Sequence, residues 1–208
     1  MYIIIRMMII SVLFMIALFL IKSGKLQNRF LTFVCVIILS TLLCMVPFEN
    51  LFMTFDSAED AFEYKKREEV VLVVNGSVSD LVVGEDPKTG DYVYCAFSKS
   101  PDGWRLGMGT DLKKVHNSVS EDAVVEVFRY KDTQDHYIIL HDIKGNIGNL
   151  SDAYGNEFYK LGEMSHFGYV DGFSDEYEIC ADGNMLAIDG NTCRGVGVTE
   201  TIQVGIPE

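Results

Sequence analysis

Four histidines, His116, His136, His141 and His166, are the side chains of this chain best suited to move a proton or hold a metal near neutral pH. Their spacing gives them little to share. His136 and His141 lie an odd number of residues apart, so on one continuous strand they face opposite sides, a poor arrangement for joint ligation. No H-E-x-x-H occurs. Oxygen ligands gather beside glycines at Asp182, Asn184, Asp189 and Asn191, which raises the question of calcium. The EF-hand pattern needs acids at alternate positions and a closing glutamate at the twelfth, and Met185–Ile188 interrupts it; two tight turns explain the same residues. Serine-hydrolase chemistry would call for G-x-S-x-G between a strand and a helix, which is missing. Gly103–Gly109 holds glycines without the G-K-[ST] ending of a phosphate loop. Paired carboxylates are frequent in so acidic a chain, so no single pair carries information. The expectation is a protein that is not an enzyme, with no catalytic, cofactor-binding or metal-ligating residues and no cofactor.

The cysteines divide by location. Cys35 and Cys44 fall in an apolar run and read as small packing residues. Cys95, Cys180 and Cys193 lie in the polar part, and an odd number cannot all pair internally. Cys180 and Cys193 flank the turn-rich Ala181–Thr192 and could close a short loop. No C-x-x-C suggests zinc.

Charge divides the chain in the same place. Of 208 residues, 17 are Lys or Arg and 30 are Asp or Glu. Residues 1–50 hold Arg6, Lys22, Lys25, Arg29 and the acid Glu49, which leaves 13 basic and 29 acidic residues, a net charge of −16, for residues 51–208. A polyanion would be repelled, so nucleic acid is not expected as a partner. Lys65-Lys66-Arg67 is the one basic cluster in this part and reads as the solvated end of a short helix.

The segments that must position these residues begin with two apolar runs. Tyr2–Ile21 is long enough to cross roughly 30 Å of hydrocarbon as a helix. Its one charge, Arg6, sits near the end, where it can snorkel to the headgroups. A cleaved signal peptide is the rival reading; the run is long for one, and no small-x-small cleavage site precedes the loop. Phe30–Val46 is a shorter second span, near the lower limit, ended by Pro47. Between them, Lys22, Lys25 and Arg29 place three positive charges in a short loop, which puts the loop in the cytoplasm and both termini outside. Arg6 argues weakly the other way. The sequence therefore divides into a membrane anchor, residues 1–48 with spans about 2–21 and 30–46, and a soluble domain, residues 49–208.

Within that domain, Asp56–Arg67 reads as a short helix capped by Asp56 or Ser57, with Ala58, Ala61 and Phe62 on one face. After Glu69 the pattern turns to strands. Val70–Val74 reads as buried, followed by Leu81–Val83, Tyr92–Phe97, a Ser100-Pro-Asp-Gly103 turn and Trp104–Leu106. Ala123–Tyr130 and Tyr137–Leu140 flank the polar loop Lys131–Asp135 as a hairpin. Shorter runs follow at Phe158–Leu161, Phe167–Val170 and Tyr177–Cys180. Asp182-Gly-Asn184 and Asp189-Gly-Asn191 bracket Met185–Ile188 as a tight hairpin, and Val196–Ile206 is a last strand or a frayed tail. Tyr92, Tyr94, Phe97, Trp104, Phe128, Tyr130 and Tyr137 all fall on these strands and are expected mostly in the core, with some tyrosine hydroxyls available for recognition. The fold class expected is two N-terminal transmembrane helices plus a mainly antiparallel β (α+β) soluble domain with one short helix.

The string from Pro47 through Tyr64, together with Phe97-Ser-Lys-Ser-Pro-Asp-Gly-Trp104 and Tyr137-Ile138, resembles a group of small uncharacterised membrane-anchored proteins of Gram-positive, clostridia-like bacteria. The resemblance covers most of residues 47–190. It implies a bacterial cell-membrane protein and brings no activity, substrate or site residues with it. The function expected is a membrane-tethered extracytoplasmic binding module, with the membrane itself and a protein or cationic peptide at its outer face as partners. An auxiliary or sensor subunit of a membrane complex is the alternative, and a small envelope enzyme with no readable active site is a further one.

Overall fold

The computed structural model describes residues 2–23, 29–120, 122–174, 177–182 and 184–187. The polypeptide opens with α1 (Tyr2–Lys22) and α2 (Arg29–Met45), followed by a 3-10 turn at Phe48–Leu51 and α3 (Ala58–Lys65). Twelve strands complete the described chain: β1 (Glu69–Asn75), β2 (Ser79–Glu85), β3 (Tyr92–Ser100), β4 (Gly103–Arg105), β5 (Leu112–Val119), β6 (Ala123–Tyr130), β7 (Asp135–Asp142), β8 (Leu150–Asp152), β9 (Phe158–Leu161), β10 (Ser165–Asp171), β11 (Glu178–Ala181) and β12 (Asn184–Ala187). α1 is one helix long and apolar enough to cross a membrane, and α2 is a shorter apolar helix.

The strands form three sheets, ordered β1-β2-β3-β4, β5-β6-β7-β10-β9 and β12-β11-β8, and each pairing is antiparallel. Side-chain alternation stacks them in layers. On β2 and β3, Val82, Cys95 and Phe97 meet Phe55, Ala58, Ala61 and Phe62 of the α3 layer. From the opposite face of the same strands, Leu81, Val83, Tyr94 and Ala96 meet Phe128, Tyr130, Tyr137, Ile139 and Phe167 of the second sheet. The second sheet then turns Val125, Val127, Ile138, Leu140 and Val170 toward Tyr177, Ile179 and Ala181. The order is helix, sheet, sheet, sheet. Because the two large sheets are covered on both sides, β2, β3 and β7 read as nearly continuous apolar runs although their pairing is antiparallel.

α3 begins where Ser57 Oγ accepts the Asp60 N–H at 3.0 Å, so Ser57 caps it rather than Asp56. Its buried face is Ala58, Ala61 and Phe62, as the spacing predicts. The tip of the Phe62 ring reaches Gly84, where any Cβ would collide with it. At the β3–β4 turn, Gly103 has φ +124, and a side chain there would strike the Phe55 carbonyl that pairs with Trp104.

Four expectations need correction. β1 is an edge strand, half-exposed along most of its length, because only β2 flanks it. β5 is a full strand of eight residues that the polar text LKKVHNSV hides; it lies at the edge of the second sheet and carries a bulge between Lys114 and His116. The Leu81–Val83 strand runs from Ser79 to Glu85. The division into three sheets was not foreseen. The strand at Leu150–Asp152 was not foreseen either, whereas the β6–β7 hairpin and the pairing of Ala181 with Asn184 across a turn with Asp182 at φ 48 are as expected. The second tight turn at Asp189–Asn191, Cys193 and the Val196–Ile206 strand lie outside the described residues.

One buried carboxylate ties the first two sheets together. Asp135, at the start of β7, accepts the N–H groups of Ser77, Val78 and Ser79 at 3.2, 3.0 and 2.8 Å, the Ser79 hydroxyl at 2.7 Å and the Tyr169 hydroxyl at 3.1 Å. The β1–β2 loop thus wraps an anion that belongs to the next layer. Replacing Asp135 with Ala leaves the buried Ser79 N–H without its acceptor and loosens the Val78 contact, and a loss of about 2 kcal/mol is expected. Lys113→Gln, which removes an exposed ion pair with Asp132, should change stability by less than about 0.5 kcal/mol. Urea denaturation of the two variants in detergent checks the contrast.

Candidate functional site at the foot of the domain

Arg6 lies one turn into α1, yet it is only 5% exposed, and Glu49 in the 3-10 turn is 4% exposed. The guanidinium meets the carboxylate as a fork: Nε donates to Oε1 at 3.0 Å and one terminal nitrogen donates to Oε2 at 2.8 Å. That same nitrogen also reaches the Val46 carbonyl at 3.0 Å, and the other donates to the carbonyls of Leu43 and Cys44, both at 2.7 Å. All five N–H groups of the side chain are therefore used. The last carbonyls of α2 have no partners within their own helix, and here an arginine from the neighbouring helix supplies them. Its positive charge also sits at the negative end of the α2 dipole. Tyr2 stacks over the guanidinium at 4.1 Å and Phe48 at 5.3 Å. The expectation that Arg6 snorkels to the headgroups is thus replaced by an internal role. The missing signal was Glu49, whose distance of 43 residues hid the pairing.

The junction continues into the domain. The Asn50 side chain donates to the Leu106 carbonyl and accepts the Leu106 N–H, each at 2.9 Å, as a strand partner would. Phe55 and Trp104 exchange two backbone hydrogen bonds at 2.9 Å. Tyr2 of α1 meets Tyr64 of α3 edge to face at 5.8 Å. Burial, followed by the Glu49 charge, holds the Tyr64 phenol above its usual range. Beside this contact a groove of about 340 Å³ is lined by Tyr2, Ile3 and Ile4 on one side and Lys65, Lys66, Arg67 and Glu68 on the other. The loop after the 3-10 turn leaves Leu51 78% and Phe52 83% exposed.

A second polar group lies between the first two sheets. Lys114 and Glu126 form a close ion pair. Near them the Tyr94 hydroxyl, Asn117 Oδ1, Glu126 Oε2 and His141 Nε2 are buried without a hydrogen-bond partner among the described residues. Burial pushes Tyr94 up, with Glu126 adding to it, and burial pulls His141 down. Ser165 Oγ stands 3.5 Å from His141 Nδ1, long for a nucleophile and its base. The cavity beside Tyr94 and Phe128 measures about 20 Å³, the space of a single water.

His136 and His141 separate as their spacing requires. His136 shares the β7 face of Ile138 and Leu140 and stacks near Phe173, which also meets His116, while His141 takes the opposite face. No group of three or more metal-capable side chains occurs among the described residues. The Asp182 carboxylate accepts the N–H groups of Gly148 and Asn149 at 2.7 and 2.9 Å, which hold its carboxyl below the usual range. It therefore closes a loop, as Asp142 and Asp152 do for their own. Cys95 packs in the core beneath α3, and Cys35, Cys44 and Cys180 are free thiols. The aromatic set lies on strands as expected, with Phe97, Phe128, Tyr130 and Tyr137 fully buried.

No protein-family model, curated protein or solved structure matches the chain.

Two outcomes are expected. Arg6→Met strands Glu49 and the helix carbonyls of Leu43 and Cys44 and should cost about 3–5 kcal/mol. Arg6→Lys should not rescue it, since an ammonium has three donors where five are needed. Glu49→Gln should cost less, because the carbonyl contacts persist. Thermal unfolding in detergent ranks the three. The pH response has its own sign. His136, His141 and His166 are all held below their usual value, chiefly by burial, so the folded chain binds fewer protons than the unfolded one. Stability should be fully present above about pH 6.5 and fall as pH drops toward 5. Tm measured across that window checks it, and His141→Phe should flatten the fall.

Proposed function

We propose that this chain is a membrane-tethered interaction module: a helical hairpin that crosses a cell membrane twice and holds an acidic β domain at the extracytoplasmic face. The observation that carries the reading is the Arg6 clamp. A domain that only needs an address can hang on a flexible linker. Here the chain leaves α2, turns once, and is fixed to both helices through Glu49 and to the first sheet through Asn50 and Phe55. Such a joint suits a domain that must present one chosen face outward.

The orientation is supported by charge. The connecting loop holds Lys22, Lys25 and Arg29. The opposing argument from Arg6 weakens because Glu49 offsets its charge. The partner is read from the net charge of −16 over residues 51–208, which favours a protein or peptide with a cationic surface and disfavours nucleic acid. The resemblance to clostridia-like membrane proteins supports a bacterial cell membrane as the location. An envelope enzyme draws no support from the cavity beside Tyr94 and Phe128, which has room for one water. The second reading, an auxiliary or sensor subunit, draws on the apolar surface that α1 leaves exposed around its circumference, from Ile3 and Met7 to Phe14 and Phe19.

A reporter that fluoresces only in the cytoplasm, fused after Glu208, should stay dark; a bright fusion reverses the topology. Binding of cationic peptides to the full chain should weaken steeply with added salt. Absence of binding at low salt would remove the electrostatic version of the module.

A further inference from the structure

We propose that the groove between the first turn of α1 and the end of α3 binds the headgroup of an anionic phospholipid. This rests on the chain being membrane-anchored and names a partner for that anchor. The two walls differ in chemistry. Ile3 and Ile4 offer an apolar strip within α1, while Lys65, Lys66 and Arg67 offer positive charge beside Glu68. A phospholipid divides the same way, into acyl chain and phosphate. Lys65-Lys66-Arg67 is the only run of three basic residues in the sequence, and it stands in a domain that is otherwise strongly acidic. An acidic domain beside an anionic bilayer is repelled unless its nearest surface is positive, and a juxtamembrane basic cluster meets that need.

The level of the groove favours a lipid over a soluble anion. Arg6 binds carbonyls of residues 43, 44 and 46, so the start of α1 and the end of α2 lie side by side. Tyr2 sits at this level, as aromatic residues do where a span meets the headgroups. Leu51 and Phe52 follow within seven residues of Met45 and stay exposed, which water alone would not favour and a bilayer surface would. Within the cluster Lys65 has a structural share, since its ammonium donates to the Gly107 carbonyl at 3.2 Å. Arg67 is exposed at the rim, with its backbone N–H taken by the Glu68 carboxylate at 2.8 Å.

The test uses the full-length chain in detergent, titrated with phosphatidylglycerol or phosphatidylcholine, with bound lipid counted by native mass spectrometry. Phosphatidylglycerol should be retained at lower concentration than phosphatidylcholine. Lys66→Gln/Arg67→Gln should weaken its retention on the order of tenfold. Lys113→Gln/Lys144→Gln, the same charge change at exposed sites, should leave it unaltered. Equal retention in the two double variants, no preference between the lipids, or displacement by millimolar inorganic phosphate would each overturn the proposal. Matching Tm values keep misfolding out of the comparison. The underlying reading fails separately: a chain stripped from vesicles by alkaline carbonate is not anchored, whereas one that stays but shows no lipid preference loses only this site.

Discussion

The structure depends on the satisfaction of one guanidinium. Arg6 is placed where an unpaired charge would be most costly, beside an apolar helix and away from water. It is held there by a carboxylate and three carbonyls that no helix of its own could supply. The same contacts finish α2, whose Leu43 and Cys44 carbonyls have no partner within the helix. One side chain thus closes the hairpin, ends its second helix and fixes the first turn of the domain. An ion pair so buried is weak evidence for net stability, because desolvation offsets much of the attraction. Its value is directional: planar bidentate geometry accepts one arrangement of α1, α2 and the 3-10 turn.

The domain repeats this logic at each of its seams. Its layers are joined by apolar faces that are not directional, and buried carboxylates set how they sit. Asp135 fixes the β1–β2 loop against β7. Asp80 accepts the Gly76 N–H, the Lys99 ammonium and the Trp104 indole N–H. Asp142, Asp152 and Asp182 close loops around the third sheet. Part of the acidity that looks like surface charge in the sequence therefore binds N–H groups within the fold. The rest leaves the domain with a strongly negative net charge.

This explains what the sequence disclosed and what it withheld. Elements with a clean period were legible: the α3 stripe of Ala58, Ala61 and Phe62, the runs at β3 and β7, and the turn at Ser100–Gly103. The opposite facing of His136 and His141 was legible from parity alone. β5 was not, because an edge strand with a bulge has neither a continuous apolar run nor a clean alternation. The three-sheet stack was not, since runs covered on both faces look alike whichever layers cover them. The Arg6–Glu49 pair was least legible of all. Each residue is unremarkable in its local context, and only the folded path brings them together. The groove beside Lys66 and Arg67 was hidden for the same reason: its two walls lie some 60 residues apart in the chain, from Ile4 to Lys65.

The central claim is that Arg6 makes anchor and domain one rigid unit. Spin labels introduced as noncanonical amino acids at Ser11 on α1 and at the exposed Asp132 in the β6–β7 loop would report it directly through their distance distribution in lipid nanodiscs. A narrow distribution that broadens on Arg6→Met is the predicted result. A distribution already broad in the unaltered chain, or unchanged by the substitution, would contradict it.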